Sequence, residues 1–230
     1  MRHGGRGYVV YGALPAVSLF TLDVFGVETV SSMGSIPALI YADKEPWVPD
    51  ESNRERFQFM ERGYIHVYTG NGKGKTTAAL GMSLRCICAG KRVFFGQFIK
   101  DWDYSELKAG KFLPDFEIIQ FGCGCFIDRD PDEKDRMAAR EGLARCDGVL
   151  RSGEYDLVVL DEVNVALFYG LFGVADVIEV LERRDPRVEV VLTGRYAPQE
   201  IIDAANLVTE MREVKHYYRE GVEARAGIER

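Results

Sequence analysis

The sequence lacks an excess of positive charge. Lysine and arginine together contribute 29 residues and aspartate and glutamate 36, so the formal net charge at pH 7 is −7. Proteins that bind nucleic acid along a surface normally present a basic patch, so this balance argues against nucleic acid as a partner. It leaves room for a small anion, because backbone amides and two or three lysines are enough to hold phosphate groups.

Long apolar runs are also missing. No stretch approaches the ~18–20 uncharged apolar residues that span a bilayer. Residues 7–22 are uncharged and follow two arginines, which faintly resembles a signal peptide. However, Gly12 and Pro15 interrupt this run and no clean small-residue cleavage site follows. We therefore expect neither membrane insertion nor secretion.

Cysteine is present without the spacing of a zinc site. The closest pairs are Cys86 with Cys88 and Cys123 with Cys125, and neither has the C-x-x-C spacing. Cys86 and Cys88 also fall in a predicted helix, where positions i and i+2 point to different faces. Free thiols in a reducing compartment are the expectation, and metal binding is the alternative.

The first 59 residues give the weakest secondary-structure signal in the chain. Short apolar runs broken by Gly, Ser and Pro lead into an apparent linker at 45–49, and residues 50–62 are polar and plausibly helical. We expect residues 1–59 to be an N-terminal extension of uncertain order or an artefact of the assumed translation start. Residues 50–62 are a possible capping helix. The domain proper is predicted to span 60–230.

From residue 63 onward, strand patterns alternate with amphipathic helices. Strands are predicted at 64–68, 93–97, 157–160 and 188–192, and helices at 76–89, from about 130 to 150, at 174–181 and at 198–205. This alternation predicts an α/β fold with a mostly parallel sheet and helices on both faces.

The predicted helix near residue 130 is indicated by a capping pattern at its start and by an apolar stripe along its length. Asp130, Pro131 and Glu133 match the N-cap, N1 and N3 positions of a helix start. Its predicted core-facing stripe consists of Ala139, Leu143, Cys146 and Leu150.

Four unusual polar segments follow directly after predicted strands. Their sequences are TGNGKGKT, QFIKDW, DEVN and TGR. Ligands of open parallel sheets bind outside the carboxyl ends of the strands. The four segments are therefore expected to converge at one edge of the sheet.

The strongest of these segments is a phosphate-binding loop between a strand and a helix. The predicted nucleotide-binding residues are Gly70, Asn71, Gly72, Lys73, Gly74, Lys75, Thr76 and Thr77. Small residues let successive N–H groups turn toward phosphate oxygens, and the helix N-terminus adds partial positive charge. Lys75 would neutralise phosphate oxygens, and the Thr76 hydroxyl would bind Mg²⁺. Thr69 stands where the usual G-x-x-x-x-G-K-[ST] pattern has its first glycine.

A second nucleotide signal follows the apolar run at 157–160. Asp161 and Glu162 there match the acidic strand end that binds Mg²⁺ in P-loop enzymes. The sequence contains neither an N-K-x-D motif, typical of GTPases, nor an LSGGQ-like stretch, typical of transporter ATPases. ATPases, small-molecule kinases and group transferases remain.

The segments GYIHVYTGNGKGKTTAALG, GQFIK, LVVLDEVN, VVLTGR and VKHYYREGVEARAGIE resemble, in this order, the P-loop ATP:cob(I)alamin adenosyltransferases. This resemblance implies a RecA-like core that transfers the 5′-deoxyadenosyl group of ATP to the cobalt(I) of a reduced corrinoid and releases triphosphate. It implies catalytic roles for Lys75 and Glu162, and Mg²⁺ ligands at Thr76, Asp161 and Glu162. It also implies a homodimer and an electron-donor flavoprotein.

Several assignments keep alternatives. Arg195 could reach a phosphate or the ribose, or could form a surface ion pair. The resemblance implies that Phe126 faces the corrinoid, and an ordinary core aromatic is the alternative. No chemistry is assigned to His216, and His66 is expected to be structural.

Two other function classes stay open at this point. One is a P-loop small-molecule kinase, and the other is a regulatory ATP-binding module without turnover. An enzyme that consumes ATP is expected to be cytoplasmic.

Overall fold

The computed structural model describes residues 62–100, 102–122 and 129–229, and the backbone of two short strands nearer the N-terminus. The chain divides into two units, Met1–Asp50 and Glu51–Arg230. In the first unit, β1 (Glu28–Val30) pairs antiparallel with β2 (Ala38–Ile40). The predicted extension 1–59 and capping helix 50–62 otherwise lie outside the described residues and stay predictions, as do statements about residues 123–128.

The described part of the second unit contains a six-stranded sheet in the order β5-β4-β6-β7-β3-β8. Every pairing between neighbours in it is parallel. Its strands are β3 (Ile65–Thr69), β4 (Val93–Gln97), β5 (Phe116–Gln120), β6 (Leu157–Asp161), β7 (Glu189–Thr193) and β8 (Leu207–Glu210). The helices are α1 (Lys75–Cys88), α2 (Glu133–Ser152), α3 (Val163–Phe168), α4 (Val174–Glu182) and α5 (Gln199–Ala204), with 3-10 helices at Ser105–Lys111 and Tyr217–Glu220. The predicted α/β fold with a parallel sheet is confirmed.

Helices cover both faces of the sheet, as predicted. Successive residues of β6 point to opposite faces, so Leu157 and Val159 belong to one buried cluster and Val158 and Leu160 to the other. Helix α1 packs on the first face, and helices α2 to α5 contribute to the cluster on the second. Burial on both faces explains why the central strands β4, β6 and β7 are mostly apolar and do not alternate between apolar and polar residues.

The predicted start of α2 is wrong by two residues. The N-cap is Asp132, whose Oδ1 accepts the N–H groups of Lys134 and Asp135. The Asp135 carboxylate in turn accepts the N–H of Asp132 and two bonds from Arg129. This reciprocal capping box, together with Arg129, supplies hydrogen-bond donors to the Asp135 carboxylate, which is fully buried. The prediction placed the cap at Asp130.

The predicted core stripe of α2 is confirmed, and a glycine brings the helix close to the sheet. Ala139, Leu143, Cys146 and Leu150 are all buried. A Cβ atom on Gly142 would lie 2.5 Å from Cγ of Phe121, which directly follows β5. Gly148, on the same helix, has nothing within 4 Å of its Cβ position.

These two glycines give a matched pair of stability predictions. Gly148→Ala is expected to stabilise the fold by about 0.5–1 kcal/mol, because alanine lowers the entropic cost of helix formation. Gly142→Ala gains the same propensity but is expected to be destabilising by about 1–2 kcal/mol net, because the Phe121 ring must move. Urea unfolding of both variants measures the difference. Equal stabilisation would contradict the close helix–sheet contact.

Candidate active site

The loop between β3 and α1 requires glycine at its first residue, Gly70. Gly70 has a φ of +92°, and a Cβ atom there would come within 2.5 Å of the carbonyl oxygen of Met211. Thr69 ends β3, and its carbonyl accepts the Met211 N–H at 2.8 Å. The loop glycine therefore falls one place later than in the usual pattern, because Thr69 belongs to the strand.

The first turn of α1 is open to an anion. Its N-cap is Gly74, no described side chain caps the helix, and the first turn has no acidic residue. The unpaired N–H groups and the partial positive charge of the helix are thus presented to the loop.

Lys75 lies at the base of this loop. Its side chain is buried, and Nζ donates to the carbonyl oxygens of Gly70 and Gly72, both at 2.8 Å. Burial lowers the pKa of Lys75, and the nearby positive charge of Arg195 lowers it further. The negative charge of a bound polyphosphate would oppose both effects, because an opposite charge nearby favours the ammonium form.

Asp161, at the end of β6, connects the strand ends. Its Oδ1 accepts hydrogen bonds from the hydroxyls of Thr76 and Thr193, at 2.9 and 2.7 Å. Its Oδ2 accepts from Lys100 Nζ at 2.6 Å and from Gln97 Nε2 at 3.2 Å. The carboxylate is fully buried, so these donors compensate its lost hydration.

Lys100 supplies the charge that balances Asp161. Its ammonium also lies 3.4 Å from Thr76 Oγ1 and 4.0 Å from a carboxylate oxygen of Glu106. Burial alone would lower the pKa of Lys100, but the carboxylates of Asp161, Glu162 and Glu106 together outweigh burial and raise it. Lys100 therefore remains a cation beside the loop.

Glu162 is held in an unusual backbone conformation. Its φ is +61°, in the left-handed region that costs a non-glycine residue on the order of 1–3 kcal/mol. Its N–H donates to Thr193 Oγ1 at 2.9 Å, which fixes this turn. Burial raises the pKa of Glu162, and the adjacent Asp161 charge raises it further. A cation bound beside Glu162 would favour its charged form and so oppose both effects.

The phosphate loop, Lys100 and Glu162 lie around one cleft of about 470 Å³. It is lined by Gly72, Lys73, Gly74, Lys75, Thr76, Thr77, Leu80, Lys100, Tyr104, Ser105, Glu106, Glu162, Arg195, His216, Gly227, Ile228 and Glu229. The polar segments after β3, β4, β6 and β7 all contribute to it or to the Asp161 contacts beneath it. The expected convergence at one sheet edge is confirmed.

Most of the predicted site residues lie at this cleft. Those in its lining are Gly72, Lys73, Gly74, Lys75, Thr76, Thr77, Glu162 and Arg195. Gly70 and Asn71 belong to the same loop but are not in the lining, and Asp161 lies beneath it, bonded to Thr76. Phe126 lies outside the described residues. The roles of all these residues stay predictions.

Sequence reasoning missed several groups. Lys100 and Thr193 lie in the segments QFIKDW and TGR, so their position after strands was a usable signal. Glu106 lies in a 3-10 helix that gave no signal. Glu229 belongs to the closing GIE segment, whose contact with the loop depends on the tertiary fold.

The two described histidines of the domain differ in setting. His66 of β3 pairs through Nε2 with Glu189 of β7 at 2.5 Å. His216 lines the cleft, and its Nδ1 accepts the N–H of Tyr218 at 3.1 Å.

Cys86 and Cys88 are free thiols on α1, and Cys123 and Cys125 lie outside the described residues. Across 62–100, 102–122 and 129–229, no helix combines the length and apolarity needed to cross a membrane.

Comparison with known proteins gives consistent matches. The profile of the family described as "ATP:corrinoid adenosyltransferase BtuR/CobO/CobP" matches residues 61–230. The corrinoid adenosyltransferase of Escherichia coli K12 is 36% identical over 171 residues, covering 74% of this chain and 86% of the relative. The corrinoid adenosyltransferase CobA of Salmonella typhimurium LT2 is 36% identical over 193 residues, covering 82% and 97%.

A third relative, the corrinoid adenosyltransferase of a Sinorhizobium species, is 36% identical over 173 residues, or 74% of this chain and 81% of its own length. The family match includes the phosphate loop, the strand ending in Asp161 and Glu162, and the C-terminal residues of the cleft. The chain belongs to the ATP:corrinoid adenosyltransferase family.

Proposed function

We propose that this chain transfers the 5′-deoxyadenosyl group of ATP to the cobalt of a reduced corrinoid and releases triphosphate. One observation carries the proposal: the phosphate loop, Lys75 and the acidic end of β6 meet at one cleft, in a chain that matches this family from residue 61 to 230. The family name supplies the substrates, ATP and a corrinoid.

The reaction balances as a nucleophilic displacement. The electron pair of cobalt(I) attacks the 5′ carbon of ATP and forms a cobalt–carbon bond. The bond between that carbon and the triphosphate oxygen breaks, and triphosphate leaves with the electron pair. Cobalt is formally oxidised from the +1 to the +3 state. No proton needs to be removed from the nucleophile, so no general base is required.

The loop would then bind a leaving group. Negative charge grows on the triphosphate as the carbon–oxygen bond breaks, and fixed positive groups stabilise it. Lys75 lies in the loop, and Arg195 approaches it closely enough to influence its pKa. The N–H groups at the start of α1 add their dipoles. Binding also positions the 5′ carbon for attack.

The residues at the edge of this loop fit Mg²⁺. Hydroxyl and carboxylate oxygens are the ligands that Mg²⁺ prefers, and it usually takes one or two carboxylates together with substrate phosphates. Thr76 and Asp161 are already within 2.9 Å of each other, and Glu162 follows directly in the chain. We propose that Thr76, Asp161 and Glu162 hold the ion. When bound, it would neutralise charge on the phosphate oxygens.

The remaining implications of the family resemblance stay predictions. These are the contact of Phe126 with the corrinoid, the homodimer, the electron-donor flavoprotein and the cytoplasmic location.

The reaction is tested by an anaerobic assay with ATP, Mg²⁺ and chemically reduced cobalamin. We expect the cobalt(I) absorbance to fall as adenosylcobalamin forms, with triphosphate released in equal amount. Absence of transfer, together with ADP formation when small-molecule acceptors are added, would instead identify a kinase.

Lys75→Ala is expected to reduce transfer by at least about 100-fold, because one preorganised donor to the developing charge is lost. The fold should persist, since Lys75 Nζ bonds only loop carbonyls. Circular dichroism and the transfer assay measure the two effects. Lys134→Ala, at an exposed position in the first turn of α2, is the matched control. Retained activity in Lys75→Ala would mean that the triphosphate binds elsewhere.

Glu162→Gln is expected to raise the Mg²⁺ concentration for half-maximal activity roughly tenfold, because an anionic ligand becomes neutral. Binding of Mn²⁺ in the presence of ATP, followed by electron paramagnetic resonance, should weaken in parallel. Glu182→Gln, at the exposed end of α4, should behave like the wild type. An unchanged metal requirement in Glu162→Gln would remove Glu162 from the proposed ligand set.

A further inference from the structure

After β8 the chain continues alongside the phosphate loop. The Met211 N–H donates to the Thr69 carbonyl at 2.8 Å, and the Met211 carbonyl accepts the Gly72 N–H at 2.6 Å. These two bonds continue the pairing of β8 with β3 into the loop itself. The C-terminal segment, residues 211–229, therefore starts in direct backbone contact with the nucleotide-binding element.

Lys73 forms a second contact between the phosphate loop and this segment, near the segment's far end. Lys73 Nζ donates to Glu229 Oε1 at 2.7 Å and to the Tyr217 hydroxyl at 2.8 Å. The Tyr217 hydroxyl also bonds Glu229. The ammonium of this loop lysine is thus committed to the C-terminal segment, in contrast to Lys75, which bonds the loop.

Glu229 is engaged through both of its oxygens. Besides Lys73 and Tyr217, it accepts the backbone N–H of Arg225 at 2.9 Å and two bonds from the Arg225 guanidinium. These donors, led by Arg225, hold the pKa of Glu229 well below its usual range. The bonds to Glu229 and Tyr217 raise the pKa of Lys73. Both partners therefore stay charged throughout the neutral pH range.

The fastened segment forms a side of the cleft. His216, Gly227, Ile228 and Glu229 line it, together with Lys100, Tyr104 and Glu106 from the segment after β4. Ile228 is 55% exposed and, with Leu80, provides aliphatic surface in this lining. A nucleotide on the loop would be enclosed on this side only while the segment is held in place.

We propose that Lys73 and Glu229 form a clasp that positions the C-terminal segment as a wall of the nucleotide cleft. Lys73 then acts through Glu229 and is a positioning residue, in place of the direct phosphate contact that the loop pattern predicts. The proposal rests on the proposed function to the extent that the cleft binds ATP.

The test is a double-mutant cycle on ATP affinity, measured by isothermal titration calorimetry without corrinoid so that no turnover occurs. Lys73→Met and Glu229→Ala are each expected to weaken ATP binding about fivefold, the upper range for a surface ion pair. The double variant should bind ATP with the same affinity as either single variant, because both changes remove the same clasp. A Lys73→Met effect much larger than that of Glu229→Ala, with additive losses, would identify a direct phosphate contact and overturn the clasp.

Hydrogen–deuterium exchange of residues 217–229 gives an independent readout. Both single variants should exchange faster than the wild type there, and unchanged exchange would overturn the clasp. The matched control is Glu223→Ala, since Glu223 lies exposed on the same segment and forms no hydrogen bond or ion pair with the described residues. It should leave affinity and exchange unchanged.

Failure of the wild type to bind ATP would overturn the proposed function as well. If the wild type binds ATP and the variants bind it with unchanged affinity, the clasp alone is overturned.

Discussion

The geometry of the cleft depends on one buried carboxylate. Asp161 is removed from water, and a charge in that position is tolerated only when donors surround it. Its donors come from the start of α1, from the end of β4 and the segment after it, and from the end of β7. Each donor is therefore held at a fixed distance from the others. Thr76, Gln97, Lys100 and Thr193 keep their arrangement because they share this single acceptor.

The central part of the fold could be predicted from the sequence because burial on both faces leaves a strong signal. The strands β4, β6 and β7 are buried at every residue and mostly apolar, and each was predicted to within a residue or two of its bounds. The edge strands β5 and β8 were missed. The residues of β8 are exposed, and those of β5 are mostly only half-buried, so neither needs a continuous apolar run. The start of α2 was misplaced because two overlapping Asp-x-x-acid patterns compete, and the contact of Arg129 with Asp135 favours the second.

The candidate site, like the fold, contains some residues that could be predicted from the sequence and others that could not. The position of Lys75, Thr76 and Glu162 at the cleft could be predicted, because a strand followed by a glycine-rich turn or by two acidic residues places these side chains at the sheet edge. Lys100 and Thr193 were missed although they follow strands, because nothing in the local sequence shows that their side chains contact Asp161. Glu229 was missed because an isolated glutamate has no local pattern that separates it from a solvated side chain. Their importance arises from contacts with residues far away in the sequence, such as Asp161 and Lys73.

The position of β3 in the sheet has a consequence for the order of assembly during synthesis. It is the first of the six described strands of this sheet to be made, yet both of its neighbours, β7 and β8, are the last. Contacts between distant parts of a chain form slowly, and domains emerge from the ribosome N-terminus first. A nascent chain would therefore carry the complete phosphate-binding sequence long before any strand pairs with β3 or Met211 closes the loop. Nucleotide binding at the cleft would then require nearly the whole domain to have been synthesised.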